Sequence, residues 1–329
     1  MRDVAATAHV SFKTVARVVN GESGVRPETA ARVMDAVRLL GFQPNQLASS
    51  LKRGSSQDTI GLVIEDVANP FFARLARAVE EVTRVRGLLL ITASSDEDPV
   101  REREVIDLLV QRRINGLLVV PAGRDHRYLS REMTRGMAVV FVDRPPWRLR
   151  TDSVLVDNRG GAQSAVEHLI AHGHRRIAAI GDRLDVYTMA ERQGGYRAAL
   201  AAAGIPIDQG IERFDCHDTA DAEQAVQQLL ALDDPPTAIF GCNNRMTVGA
   251  VQALVRLAPG VALVGFDDFE LAGALTTPVT VVTGDNDLLG RTAAEILLRR
   301  MDGWHGPVGR IVIPTRLVVR GSGELRPTP

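Results

Sequence analysis

Apolar positions fall at helical spacing in the first forty residues. Beyond them, short apolar runs alternate with longer amphipathic stretches. Three short helices are predicted at the start. The first covers 3–8, with Val4 among small alanines. Ser11 is a good N-cap for the second, over 12–20, because its hydroxyl can accept from a free backbone N–H of the first turn. Val15, Val18 and Val19 share one face of that helix, and Gly21 follows as a stop. Pro27 opens a third helix with Glu28 in its first turn, where the helix dipole favours an acid. Its apolar face is Ala30, Val33, Val37 and Leu40. From Thr59 onward, strands are predicted at 60–64, 88–92, 117–120 and 139–142, and the pattern restarts at Val154. Further strands fall at 177–180, 237–240 and 263–264, with a long last strand at 311–319. Helices are predicted at 70–85, 99–113, 160–171, 189–203, 222–232, 246–257 and 288–301, with one more between 120 and 139.

Two short helices joined by a tight turn and braced by a third make a helix-turn-helix. One helix enters a DNA major groove and the others hold its angle. The outward face of the second helix carries Phe12, Lys13, Thr14 and Arg17. Lys and Arg reach phosphates or guanine edges, and Thr reaches a thymine methyl or a phosphate. A plain three-helix bundle with solvated charges fits the pattern equally well. The remaining residues alternate strand and helix, which implies parallel sheets with helices on both faces. About 270 residues exceed one such sheet, so two similar lobes are expected, with a cleft at the carboxyl ends of their strands. The expected fold class is therefore α/β, an all-α three-helix head on a two-lobed body with parallel sheets.

Composition adds limits. Hydrophobic residues are 45% and charged residues 24% of the chain, an ordinary globular balance. No apolar run reaches the roughly 18 residues that span a bilayer. The start, MRDVAATAHV, has no apolar signal core, so a cytoplasmic protein is expected. Cys216 and Cys242 are the only cysteines, consistent with a reducing compartment and no disulfide framework. The net charge of −1 hides an asymmetry: residues 1–56 hold eight Lys/Arg against four Asp/Glu, and the remainder is −5. A basic head on an acidic body suits a DNA-binding module joined to a sensor.

Enzyme signatures are missing. There is no GxGxxG loop, no P-loop and no GxSxG. His168 and His172 have zinc-compatible spacing, but HLIAHGH lacks the glutamate of HExxH and reads as a helix cap. Asp267-Asp268 has no histidine or nucleophile tied to it. No catalysis, cofactor or metal is expected. Candidate cleft residues are those that end strands. Asp66, Asn69, Phe71 and Phe72 follow the first strand, and Asp143 and Arg144 follow VVFV. Arg192 lies beyond IAAIGD, Asn243 follows AIFGC, and Asp267 follows LVGF. Asp, Arg and Asn there can bond vicinal hydroxyls, and Phe can stack on a sugar or base face. Turn-making and capping are the plainer alternatives for each polar residue.

The run DVAATAHVSFKTVARVVNGESGVRPETAARVMDAVRLLGFQPNQLASSLKRGSSQDTIGLVIEDVANPFF closely resembles the start of LacI/GalR-family repressors, and the similarity continues to the end of the chain. The resemblance implies a helix-turn-helix over 1–44, a hinge helix and linker over 45–58, and a periplasmic-binding-protein-like effector domain over 59–329. The lobes would run roughly 59–156 with 285–315 and 157–284 with 316–329. It implies operator contacts from Ser11, Phe12, Lys13, Thr14, Arg17, Asn20, Asn45 and Ala48, and a minor-groove wedge at Leu51. It implies effector contacts at Asp143, Arg192, Asn243 and Asp267, with Phe71, Phe72 and Arg144 at more variable contact positions. The implied function is a homodimeric, sequence-specific repressor on pseudo-palindromic double-stranded DNA, controlled by a small, sugar-like effector. A solute-binding protein, or a regulator with an impaired head, is the alternative. Five departures stand out. Met1 falls where an apolar residue of the first helix belongs, so either the start lies upstream or that helix is frayed. His9 stands at a usual Gly, Arg26 at a usual Ser cap, Asn244 at a usual Asp, and Gly284 at a usual Gln.

Overall fold

The structure is a computed structural model that describes residues 1–19, 22–42, 59–258 and 260–327. It separates into two compact units, 1–58 and 59–329. The hinge helix expected over 45–58 lies outside the described residues.

In the head, α1 (Arg2–Thr7), α2 (Phe12–Val19) and α3 (Pro27–Leu39) enclose Val4, Ala8, Val15, Val33 and Ala36. α1 is a formed helix, and Met1 packs against this cluster. His9 joins α1 to α2 at φ 51°, the left-handed backbone that glycine adopts without steric cost. Arg26 precedes α3 and supplies no side-chain cap, so Pro27 and Glu28 alone favour that start. Leu40, expected on the inner face of α3, is 44% exposed because the helix ends one residue earlier. Ala36 takes the buried position instead.

The body contains two six-stranded sheets of matching order. The first runs β11-β5-β4-β3-β1-β2 and is parallel throughout. Its strands are β1 (Thr59–Ile64), β2 (Leu89–Ser94), β3 (Gly116–Val119), β4 (Ala138–Asp143), β5 (Asp152–Val156) and β11 (Arg310–Ile313). The second runs β12-β10-β9-β8-β6-β7. Its strands are β6 (Ile177–Ile180), β7 (Glu212–Arg213), β8 (Ala238–Gly241), β9 (Ala262–Phe266), β10 (Thr280–Gly284) and β12 (Thr315–Val318). Only β12 is antiparallel to its neighbour, β10. The strand expected over 311–319 is thus two strands in different sheets. Pro314 lies between them, and proline has no N–H to donate to a ladder.

Helices cover both faces of each sheet. Around the first sheet lie α4 (Pro70–Val85), α5 (Pro99–Gln111), α6 (Ser130–Thr134) and α11 (Asn286–Met301). Ile60, Leu62 and Ile64 point from β1 toward α4 and α11, while Val63 points toward Ile106 and Leu109 of α5. This alternation buries both faces, which is why parallel strands read as continuous apolar runs. Around the second sheet lie α7 (Asn158–Ala171), α8 (Tyr187–Ala202), α9 (Thr219–Leu230) and α10 (Asn244–Leu257). Gly195 lets α8 approach α7, since a Cβ there would stand 2.2 Å from the Arg159 carbonyl oxygen. Side-chain caps start most of these helices: Asn69, Asp98, Asp157, Asp218, Asn243 and Asp285 each accept a first-turn N–H.

Candidate ligand cleft and nucleic-acid interface

In doubly wound sheets the crevice forms where strand order reverses, beyond the carboxyl ends. Those ends face one void in the body, partly open to solvent. Asp143 closes β4 at φ 67° and Asp267 follows β9 at φ 65°. Aspartate tolerates this backbone better than most residues, and strain of this kind gathers at functional sites. Arg192 of α8 lies beneath them. It donates to Asn158 Oδ1 at 2.8 Å, to the Cys242 carbonyl at 2.6 Å and to Asp267 Oδ2 at 3.0 Å. Its guanidinium also stacks 3.7 Å from the centre of the Phe266 ring. Burial raises the Asp267 carboxyl above its ordinary range, and Arg192 offsets this only in part. Burial likewise pushes Asp143 up to about 6, against the pull of Arg144 and Arg192. Asn243 Oδ1 accepts the Met246 N–H at 2.8 Å, so it caps α10 while it lines the cleft.

Arg144 is buried among carboxylates. It donates to Glu97 Oε2 at 2.8 Å and to Glu65 Oε2 at 3.4 Å, and its Nε lies 3.5 Å from Asp143 Oδ2. Glu65 and Glu97 therefore share one cation. Burial, with the Glu97 charge behind it, pushes Glu65 up to about 8. Burial also opposes the charge on Glu97, but Arg144, helped by Glu65 and Arg183, outweighs it and holds Glu97 below the usual range. Among the described residues, four contacts join the lobes across the void. Arg245 bonds Glu65 Oε1 at 3.1 Å and pairs with Asp66. Asn244 Nδ2 donates to Asn69 Oδ1 at 2.8 Å, and Arg124 donates to the Asp185 carbonyl at 2.8 Å.

The seven expected effector positions, Phe71, Phe72, Asp143, Arg144, Arg192, Asn243 and Asp267, all line this void. Phe71 and Phe72 meet edge-to-face at 5.0 Å and also belong to the core under α4. Glu65, Glu97, Asn244 and Arg245 line it too and were not foreseen. Glu65 immediately follows β1, so the strand-end rule could have found it. Two other readings are settled by partners. His172 is the C-cap residue of α7 and its Nδ1 bonds the His168 carbonyl at 2.8 Å, while His168 pairs with Glu324. Asp268 forms a two-pronged pair with Arg320 at 2.7 and 2.6 Å. Among the described residues no group of three or more potential ligands could hold a metal ion.

On the head, Ser11 Oγ accepts the Thr14 N–H at 3.1 Å and starts α2. Phe12 and Lys13 are exposed and Thr14 is half-buried. Arg17 turns back, donating to the Ser23 carbonyl at 2.5 Å with Glu22 at 3.7 Å. It therefore ties Glu22 and Ser23 to α2. Asn20, Asn45, Ala48 and Leu51 lie outside the described residues.

Comparison with known proteins places both units. Residues 1–45 match the family of bacterial regulatory proteins described as lacI family, and residues 166–323 match a periplasmic binding protein-like domain. The chain is 34% identical to the ribose operon repressor of Escherichia coli (strain K12) over 328 residues, 98% of this chain and 99% of that one. A solved structure of the transcriptional regulator CelR–cellobiose complex covers 98% of both chains at 30% identity and a TM-score of 0.73. The lac repressor dimer bound to operator and the anti-inducer ONPF covers 98% of both at 27% identity and a TM-score of 0.83. No helix among the described residues is long and apolar enough to cross a membrane. The chain belongs to the lacI family of bacterial regulatory proteins and is a DNA-binding transcriptional regulator, not an enzyme.

Proposed function

We propose that this regulator is a cytoplasmic homodimeric repressor of a near-palindromic operator, and that a small sugar-like molecule in the cleft sets its DNA affinity. The observation that carries the reading is the meeting of Asp143 from the first lobe with Arg192, Asn243 and Asp267 from the second around one void. Carboxylates, a guanidinium and an amide at such spacing suit vicinal hydroxyls, and the Phe71–Phe72 pair supplies an apolar wall. A ligand held by both lobes favours one lobe arrangement. By linkage it shifts DNA affinity only if that arrangement binds operator differently. Ser11, Phe12, Lys13, Thr14 and Arg17 form the reading face on α2, and the two-fold symmetry of a dimer matches that of its operator. The names of the relatives agree in kind: one is a ribose operon repressor, one is complexed with cellobiose, and one is a dimer on operator.

The test is a fluorescence-anisotropy titration of an operator selected from random DNA, with and without ribose, cellobiose and other sugars. One sugar should change operator affinity by about 5–150-fold, the usual range of allosteric coupling. A sugar that binds tightly and leaves operator affinity unchanged defeats the switch.

A further inference from the structure

Three guanidinium groups line the cleft, and each already faces a carboxylate. Arg144 meets Glu97 at 2.5 Å and Glu65 at 3.4 Å, Arg192 meets Asp267 at 3.0 Å, and Arg245 meets Glu65 at 3.1 Å and Asp66 besides. Against them the wall holds five carboxylates, on Glu65, Glu97, Asp143, Asp182 and Asp267. His217 is the remaining titratable group there, 2.9 Å from Asp182. Past Glu65 and Glu97 the void opens toward a second, solvent-open space. Asp66, Asp96, Asp182, Arg183, Arg245 and His217 line it as well.

Two acceptors facing the void lack donors. The Asp143 side chain is 5% exposed, and no hydrogen bond to its carboxylate exists among the described residues; its contact is the 3.5 Å approach of Arg144. Glu97 Oε1 is buried and accepts no hydrogen bond, although it lies in ion-pair range of Arg144. Arg144 Nε beside them is a buried donor that likewise has no hydrogen-bond partner. Buried polar groups are nearly always satisfied, so these three point to a ligand group that both donates and accepts, as a hydroxyl does.

We infer that the effector is donor-rich and carries no phosphate or carboxylate, and that Glu65 and Glu97 form the subsite receiving its donor end. This rests on the cleft being the effector site. An anion would meet excess carboxylate and would have to break a buried ion pair to reach any guanidinium, which is costly. A hydroxyl or an ammonium finds acceptors without breaking one. Arg144 is then the counter-ion that holds Glu65 and Glu97 in place, and a positioning residue for this subsite.

Calorimetry on the full-length protein with matched ligands tests this. The panel is ribose and ribose 5-phosphate, then glucose, glucosamine, gluconate and glucose 6-phosphate, with cellobiose. Binding should be confined to neutral and aminated members. Glu97→Gln should weaken the best of them about tenfold or more, the size of a hydrogen bond to a charged group. Preference for glucosamine over glucose marks an ammonium at the subsite, and equal binding marks a hydroxyl; either supports the inference. A phosphate or carboxylate binding more tightly than its neutral parent overturns it, as does a Glu97→Gln protein that keeps the parent affinity within twofold. A panel silent throughout counts against the sugar-effector reading instead. Inorganic phosphate then decides the charge argument alone. Its phosphorus-31 line should stay narrow with the parent protein and broaden with the Glu65→Gln/Glu97→Gln double variant, whose arginines are freed. If that variant fails to fold, Glu97→Gln alone serves. Broadening by the parent protein, or none by the freed variant, refutes the inference.

Discussion

Replacing Arg192 by Met removes the cation at the floor of the cleft and leaves its partners behind. The Arg192 side chain is 4% exposed and that of Asp267 10%, so water does little to rescue the orphaned carboxylate. Asn158 Oδ1 and the Cys242 carbonyl each lose a donor as well. Breaking a buried pair from one side costs about 3–5 kcal/mol, and the lost neutral bonds fall within the same disturbance rather than adding to it. Replacing both partners, as Arg192→Met/Asp267→Asn, removes the uncompensated charge and should restore about 2–3 kcal/mol of that loss. Urea unfolding followed by tryptophan fluorescence measures this directly, because Trp147 and Trp304, the only tryptophans, both lie in the body. The loss should also depend on pH. Burial raises Asp267 in the fold even with Arg192 present. Without Arg192 the folded carboxyl stays protonated to a higher pH, while the unfolded one ionises near 3.8. The charge-dependent part of the deficit is therefore small at about pH 4 and grows as pH rises through the folded value, while the part from the Asn158 and Cys242 bonds stays constant. A single variant within about 1 kcal/mol of the parent at pH 8, or a double variant less stable than the single, would refute the reasoning.

Three further outcomes are expected. Glu65→Gln should gain stability relative to the parent as pH rises, up to about 8. The folded Glu65 holds its proton that far, whereas the unfolded one loses it near 4.5, so the parent loses this contribution on the way up; melting temperatures across that range would show a constant difference if Glu65 were not buried as described. Gly195→Ala should cost about 1–3 kcal/mol by overpacking, because its methyl would meet the Arg159 carbonyl and lie 2.9 Å from Ala162 Cβ; an unchanged melting temperature contradicts the close approach of α7 and α8. Lys13→Ala should weaken operator binding and lower the slope of log affinity against log salt by about 1, one phosphate contact, with sugar affinity unaltered; an unchanged slope removes Lys13 from the phosphate contacts.

Local rules account for what was legible. Apolar runs of β1, β4 and β9 mark strands buried on both faces, and Pro70 and Pro99, each behind an Asn or Asp cap, mark helix starts. The same rules place Asp143, Asn243 and Asp267 at strand ends, where the cleft forms. The rest depends on register. Glu65 and Glu97 are 32 positions apart, and they meet because parallel pairing sets Ile64 beside Ser94. No periodicity reports that pairing. Arg144 is legible as a strand-end residue, but its burial is not, because that depends on two carboxylates from other loops. Arg245 reaches Glu65 only across the interlobe cleft. β7 is two residues long, too short for any pattern to mark. The break at Pro314 had a visible local cause, since a proline inside a strand argues against its continuity.

That break also matters while the chain is being made. The first sheet begins at Thr59 and waits for Arg310–Ile313 as its outermost strand beside β5. The second receives Thr315–Val318 beside β10 only five residues later. At bacterial synthesis speeds of about 5–20 residues per second, roughly 8–30 s separate β5 from β11. During that interval β5 presents an unpaired edge, the kind of template on which strands from other chains add. The nascent protein is therefore most open to mispairing just before it is complete. A stop codon after Gly309 would leave both lobes with an open edge at once.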